Sequence, residues 1–301
     1  MDKVRACFLG HPLMGSWQIR AQQIASARPW WRCGTRLRPE DVLEHDLFCF
    51  VKRPEPSRMR MLRRLGKTVV FDALDCWKQP EDGLACNTLD RVREWFRAWF
   101  AGLALDGVIF ANRTMLEDLG DLVPNPITIY HHFRPGLGPI EVRPRARVVG
   151  YEGEPSYLGE WHAIVVQECR NLGLEFVVNP PDFAALDIGF AARAGAHGSL
   201  MAHRYKSNVK LVNFIGAGLP CLVNDSDLAY RETGNEHVRY FANRAELAAG
   251  LAALLPYETR LAAHRSFLAL RPQYTLEAIA RHYEAYFARL RAQRCAAEAH
   301  R

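Results

Sequence analysis

The sequence predicts an α/β protein made of two parallel-sheet halves. Three observations predict it. Short β-branched and aromatic runs alternate with longer amphipathic segments, which is the pattern of a parallel sheet wrapped by helices. The alternation breaks once, at a Gly- and Pro-containing segment, and then restarts. The length of 301 residues suits two domains of about 150.

In the first half the strand-like runs are VRACFLG (4–10), LFCFVK (47–52), KTVVFDA (67–73), GVIFAN (107–112) and ITIYHH (127–132). Helix-like stretches fall at 16–27, 56–65, 88–101 and 113–120. The segment GLGPIEVRPRAR (136–147) is the predicted linker. The pattern resumes with RVVGYEG (147–153), a helix near 159–172, LEFVVN (174–179), DIGFAAR (187–193), a lysine-bearing helix, PCLVN (220–224) and VRYFAN (238–243). Three helices follow at 244–255, 257–270 and 275–293, and the tail near 294–301 is expected to fray. The expected domains are 1–142, 143–272 and a terminal helix with its tail at 273–301. A cleft is expected between the halves, and ligands in open α/β sheets sit at the carboxyl ends of strands.

Composition narrows the class. A hydrophobic content of 49% is ample for buried cores, and no apolar run approaches the roughly 18–20 residues that span a bilayer. The start, MDKVRACFLG, reads as a strand and lacks a signal peptide's apolar core, so a cytoplasmic protein is expected. The eight cysteines form no CxxC pair, and several lie in strand-like runs. They read as small buried hydrophobes rather than a disulfide or zinc framework. The net charge of +6 permits an anionic partner without naming one.

The most informative stretch is YKSNVKLVNFIGAGLP, 205–220. The chain has six lysines (Lys3, Lys52, Lys67, Lys78, Lys206 and Lys210), and two of them crowd this segment. It reads as a loop opening into a helix with Ser207 as N-cap. Lys206, Lys210, Asn213 and Ala217 then share one face, and Val209, Val212 and Ile215 look into a core. Cations are disfavoured at a helix start, where the macrodipole is already positive. An anion resolves the conflict, and a helix N-terminus with ammonium groups is a phosphate site. The alternative is a solvated basic helix face.

Two Rossmann-like halves and a late K-x-x-N-x-x-x-x-G-x-P segment resemble glycosyltransferases of the GT-B fold, in the bacterial "group-one" class that uses nucleotide-sugar donors. The resemblance is diffuse over the chain and sharpest at 205–223. GSWQIRAQQIA (15–25), VIFANRTMLEDLG (108–120), ITIYHHFRP (127–135) and YTLEAIARHYEAYFARL (274–290) also resemble segments of that class. It implies two domains facing a central cleft, the acceptor in the first and the donor in the second, with the terminal helix crossing back to the first. It implies a nucleoside diphosphate sugar as co-substrate, no permanently bound cofactor and no metal. The class carries two glutamates on the donor helix; aligning the G-x-P ends places Lys206 and Asn213 there. The acidic pair is absent, and the two lysines are expected to hold the diphosphate instead.

On this reading Lys206 and Lys210 stabilise the leaving diphosphate, with Tyr205, Ser207 and Asn213 completing the donor site. Tyr151, Glu152 and Gly153 follow the first strand of the second half, where the resembled fold borders the donor; an ordinary turn is the alternative. Arg193 ends DIGFAAR as a phosphate contact or a surface arginine, and Glu232 in AYRETG is a cleft candidate. Asp72 and Asp75 end a strand-like run and offer a general base for the acceptor hydroxyl, unless Asp72 caps the next segment. His11, after the first strand, is an alternative base. His131 and His132 are adjacent, so on a strand they face opposite ways, against joint metal ligation.

RMRMLRRLGK (58–67) and the aromatic-arginine run RVREWFRAWF (91–100) form a basic-aromatic region. It could rest on anionic lipid while a glycan or lipid-linked acceptor enters, contact nucleic acid, or be core with a solvated rim. The expected function is sugar transfer from a nucleotide-sugar to a hydroxyl, in polysaccharide or glycoconjugate synthesis. The alternatives are a DNA-modifying glycosyltransferase and a non-catalytic sugar-nucleotide-binding protein of the same fold.

Overall fold

The computed structural model describes residues 3–12, 15–74, 88–193 and 200–299. The chain divides into two compact units. Residues 1–131, 205–207 and 276–301 form the first, and residues 132–204 and 208–275 the second.

The first unit holds a six-stranded sheet in the order β2-β1-β3-β4-β5-β6. The strands are β1 (Ala6–Leu9), β2 (Trp31–Gly34), β3 (Leu47–Val51), β4 (Thr68–Ala73), β5 (Gly107–Phe110) and β6 (Pro126–Thr128). Every pairing is parallel. Strand β2 escapes the sequence reading because WRCG is a four-residue, partly exposed edge strand with little apolar signature. The apolar central strands β1, β3, β4 and β5 are buried throughout, as a sheet covered on both faces requires.

One face of this sheet is covered by the terminal helix α13 (Leu276–Ala299). Its residues Ile279, Tyr283, Tyr286, Phe287 and Leu290 make a stripe at helical spacing against Phe8, Cys49, Val70 and Ile109. Each large buried side chain contributes about 1.5–3 kcal/mol. The partly exposed ion pairs of Arg28 with Glu277 and Glu284 add about 0–1 kcal/mol each, so apolar burial docks the helix. Gly107 is required here, because a Cβ would strike the Tyr286 hydroxyl, which donates to the Asn125 carbonyl at 2.7 Å.

A helical stretch follows β1: α1 (Gly15–Trp17), a π-helical segment (Gln18–Gln23) and α2 (Ile24–Ser26). From the π segment, Arg20 is fully buried. Its Nε and Nη2 donate to Asp72 at 2.9 and 3.0 Å, and its Nη1 donates to the Ile129 carbonyl at 2.8 Å. Tyr283 donates to Asp72 at 2.7 Å. Asp72 is thus an internal counter-ion with no exposure, which corrects its reading as a base or a cap. The remaining helices of this unit are α3 (Pro39–Glu44), α4 (Pro56–Arg64), α5 (Leu89–Ala101) and α6 (Arg113–Leu119).

The second unit holds a five-stranded parallel sheet in the order β11-β10-β9-β7-β8. Its strands are β7 (Val148–Tyr151), β8 (Glu175–Val178), β9 (Ile188–Ala191), β10 (Cys221–Asn224) and β11 (Arg239–Phe241). Helices α7 (Glu160–Asn171), α8 (Leu200–Tyr205), α9 (Val209–Ala217) and α10 (Leu228–Thr233) lie between them in the chain, and α11 (Arg244–Ala253) and α12 (Tyr257–Leu270) follow β11. Segment 136–147 is not a free linker. Arg260, fully buried, donates to the carbonyls of Arg143 and Pro144, and Arg271 donates to that of Leu137. Irregular backbone lies against the unit because arginines satisfy its carbonyls.

Among the described residues, no helix is long and apolar enough to cross a membrane. The six described cysteines are free thiols.

Candidate functional site

In the second sheet the chain passes from β7 outward to β8, then returns to place β9 on the other side of β7. The strand order therefore reverses between β7 and β9, and the carboxyl ends there flank the crevice where open α/β sheets bind ligands. Glu152 and Gly153 leave β7 at that point, and Arg193 follows β9 by two residues. Lys210, second residue of α9, brings its ammonium to the same place.

The Lys210 Nζ donates to the Glu152 carbonyl at 2.6 Å and lies 3.8 Å from the centre of the Tyr151 ring. It makes no ion pair among the described residues. The Glu152 carboxylate is directed elsewhere, accepting from Arg134 Nη1 at 2.7 Å and Asn213 Nδ2 at 3.0 Å. Burial, then the neighbouring Arg193 guanidinium, push the Lys210 pKa from 10.5 down to about 7; Glu152 and Asp227 offset part of this.

Arg193 is itself buried, with its Nε 3.3 Å from an oxygen of buried Asp227. His203 lies 3.8 Å from the other oxygen and 2.8 Å from the Ser226 hydroxyl. Neither carboxylate oxygen of Asp227 has a hydrogen bond among the described residues. Tyr151 is buried and donates to the Glu154 carbonyl at 3.1 Å; burial raises its phenol to about 12, so it stays protonated.

Gly153 is fixed twice over. Its φ is +138°, a region L side chains rarely adopt, and a Cβ would collide with the Lys210 ammonium. Its N–H donates to the Asn179 side chain at 2.8 Å. Gly153→Ala is expected to destabilise by about 1–3 kcal/mol through backbone strain and to displace Lys210. A denaturant titration of the variant checks this, and an unchanged midpoint would contradict it.

The other residues expected at the site divide. The helix begins at Val209 with Asn208 at the N-cap, whose side chain accepts no bond from the first-turn amides, so Ser207 is not the cap. Lys206 precedes the helix and does not share its face. The break has a tertiary cause. Tyr205, the last residue of α8, is fully buried in the first unit and donates to Asp118 at 2.9 Å. The Lys206 carbonyl accepts from Asn112 at 3.0 Å. Tyr205, Lys206 and Ser207 belong to the first unit, and Lys210 and Asn213 to the second. The Asn213 carbonyl oxygen accepts from the Arg134 amide at 2.9 Å, so its amide is already engaged on both sides.

Glu232 is half-buried on α10. His11 is exposed in the loop after β1, and Asp75 lies outside the described residues. His131 and His132 are both buried, one in each unit. No group of three His, Cys, Asp or Glu side chains among the described residues is placed to hold a metal. In the basic-aromatic region Arg58 pairs with Glu55, Arg63 with Asp106, and Phe96 and Phe100 are core, while Arg60, Arg64, Arg91 and Arg97 are exposed. Asp227, Arg134, Asn179 and His203 were missed. Asp227 lay within reach of the strand-end rule, since it follows β10 by three residues.

No protein-family model matches the sequence, and no curated protein matches it. Solved structures do. A UDP-forming α,α-trehalose-phosphate synthase from Burkholderia xenovorans, in complex with glucose-6-phosphate, superposes with a TM-score of 0.60 at 10% identity, covering 94% of this chain and all of its own. AviGT4, a glycosyltransferase of avilamycin A biosynthesis, gives 0.54 at 11% identity over 96% of this chain and 98% of that one. The trehalose-phosphate synthase of Burkholderia vietnamiensis gives 0.56 at 13% identity, covering 92% of this chain and 85% of its own.

The chain has the GT-B glycosyltransferase fold. Within that fold the Lys210–Arg193 cluster occupies the switch point of the second sheet, and the terminal helix packs on the first.

Proposed function

We propose that this protein transfers a sugar from a nucleoside diphosphate sugar to a hydroxyl acceptor, with the donor's diphosphate at the β7–β9 switch point. One observation carries the reading: Lys210, at the start of a helix, makes no ion pair among the described residues while the Arg193 guanidinium, paired with Asp227, opposes its charge. A buried cation facing another cation is costly unless an anion neutralises it. The fold supports the same reading, since the Burkholderia xenovorans enzyme it superposes on is, by name, UDP-forming.

The chemistry follows from charge. As the anomeric carbon–oxygen bond breaks, negative charge builds on the diphosphate oxygens. The Lys210 ammonium, the Arg193 guanidinium and the first-turn amides of α9 stabilise that charge more than the ground state. Asp227 positions Arg193, and Gly153 lets Lys210 approach the strand end. The acceptor is a hydroxyl of a glycan or lipid-linked saccharide. Polysaccharide or glycoconjugate synthesis is the setting proposed for it.

The test is calorimetric titration with UDP, GDP, TDP and ADP and their sugar conjugates, followed by a product assay. Binding of one nucleotide, lost in Arg193→Ala, supports the donor site. Release of that diphosphate from its sugar conjugate supports transfer; binding without release supports the non-catalytic alternative, which the engaged Asn213 amide favours.

Binding is also expected to depend on pH. Without ligand, Lys210 loses its proton near pH 7, whereas a bound diphosphate retains it. Affinity for the nucleotide-sugar is therefore flat below about pH 7 and falls above it, by up to about tenfold per pH unit, until the bound-state pKa is reached. The sugar conjugate is the right ligand because it lacks the terminal phosphate that titrates near 6. A profile that stays flat to pH 9 would remove Lys210 from the site.

A further inference from the structure

The Lys210 side chain combines features that serve a second kind of chemistry. Among the described residues its nitrogen has one hydrogen-bond acceptor, the Glu152 carbonyl, and an aromatic face beneath it. No carboxylate among the described residues forms an ion pair with it, and the Arg193 guanidinium opposes its charge, offset in part by Glu152 and Asp227. The residue is half-buried, so part of its surface meets solvent. Beside it stand two groups suited to a phosphate, Arg193 and the uncapped first turn of α9. Desolvation next to another cationic group is how a lysine amine becomes a nucleophile.

From this arrangement we propose that Lys210 is a reversible covalent capture site for aldehydes that carry a phosphate monoester. The phosphate docks against Arg193 and the helix start, which brings the aldehyde carbon to the amine. The Nζ lone pair attacks that carbon, a C–N bond forms, and the carbonyl oxygen gains a proton. The carbinolamine then loses water to give an imine. One amine and one aldehyde become one imine and one water, with no oxidant or reductant. The adduct occupies the switch point and blocks it, so a phosphorylated aldehyde acts as a reversible inhibitor of whatever binds there.

The inference rests on the same anion site as the proposed donor binding, yet the two fail separately. The full chain is incubated with pyridoxal 5′-phosphate, reduced with borohydride, digested and mapped by mass spectrometry. The expected result is one dominant adduct on Lys210, at least about tenfold above each of the other five lysines. Labelling rises through a midpoint near pH 7, where an ordinary lysine would react appreciably only nearer its usual 10.5. Pyridoxal without the phosphate labels Lys210 more slowly, and Arg193→Gln removes the advantage of the phosphate. Label spread evenly over the lysines, or concentrated on Lys206, overturns the capture site. If Lys210 is labelled but no nucleoside diphosphate protects it, the capture site stands and the donor reading falls. If a nucleoside diphosphate binds but Lys210 stays unlabelled, the reverse holds.

Discussion

Asp72→Ala is expected to lower the unfolding free energy by about 3–5 kcal/mol, because it strands a guanidinium in the core of the first unit. Arg20 and Asp72 are both without exposure, joined through Nε and Nη2 at 2.9 and 3.0 Å. Without the carboxylate, Arg20 keeps only the Ile129 and Tyr130 carbonyls as acceptors, and Tyr283 loses its own. The double variant Arg20→Met/Asp72→Leu removes both charges and is expected to regain most of the loss, since apolar side chains of similar volume often replace a buried pair without penalty. Tyr283→Phe should cost about 1.5–3 kcal/mol, the worth of one hydrogen bond to a charged group. Urea unfolding of the four proteins checks the series. A catalytic Asp72 predicts the opposite pattern: Asp72→Asn would abolish turnover and leave the midpoint in place.

The second large effect has the other sign. Lys210→Met is expected to make the protein more stable at pH 6 while removing nucleotide binding. The native pKa of about 7 lies below the ordinary 10.5, so between those values the unfolded chain holds a proton the native protein has shed. Stability therefore rises with pH through that window, and below it the native state bears the full penalty of a buried ammonium. A displacement of that size corresponds to about 5 kcal/mol at most, at roughly 1.4 kcal/mol per pH unit. The Glu152 carbonyl bond and the Tyr151 ring, both lost in the variant, bring the expected net gain to about 1–3 kcal/mol. Melting curves of wild type and Lys210→Met at pH 6 and pH 10 test this. The gain should shrink at the higher pH, and equal melting temperatures at pH 6 would show that the amine is not under strain. A site that trades stability for a charged group is the expected signature of binding rather than packing.

The strand-and-helix alternation was legible because it follows from local chemistry. Runs such as LFCFV and GVIF are apolar throughout, as central parallel strands must be, and YTLEAIARHYEAYFARL carries its core stripe at helical spacing. Gly153 and Lys210 were legible as site candidates, one by its position after a strand and one by its charge at a helix start. Lys206 carried the same charge and was placed with Lys210 on one helix, wrongly. Nothing between 205 and 209 announces that Tyr205 is drawn into the first unit by Asp118, or that Asn112 takes the Lys206 carbonyl out of helical register. Asp72 likewise read as a strand-end carboxylate, since its partner Arg20 lies 52 positions away.

Sequence alone determined the class of fold, the two sheets, the covered strands and the presence of a scarce cation at a helix start. These depend on period and composition, which act over a few residues. Tertiary structure decided which polar groups are partners. It seated Arg20 on Asp72, gave Glu152 to Arg134 and Asn213, and left Lys210 with a carbonyl and a ring. The reason is that burial and electrostatic pairing depend on distance through space, and residues far apart along the chain set both.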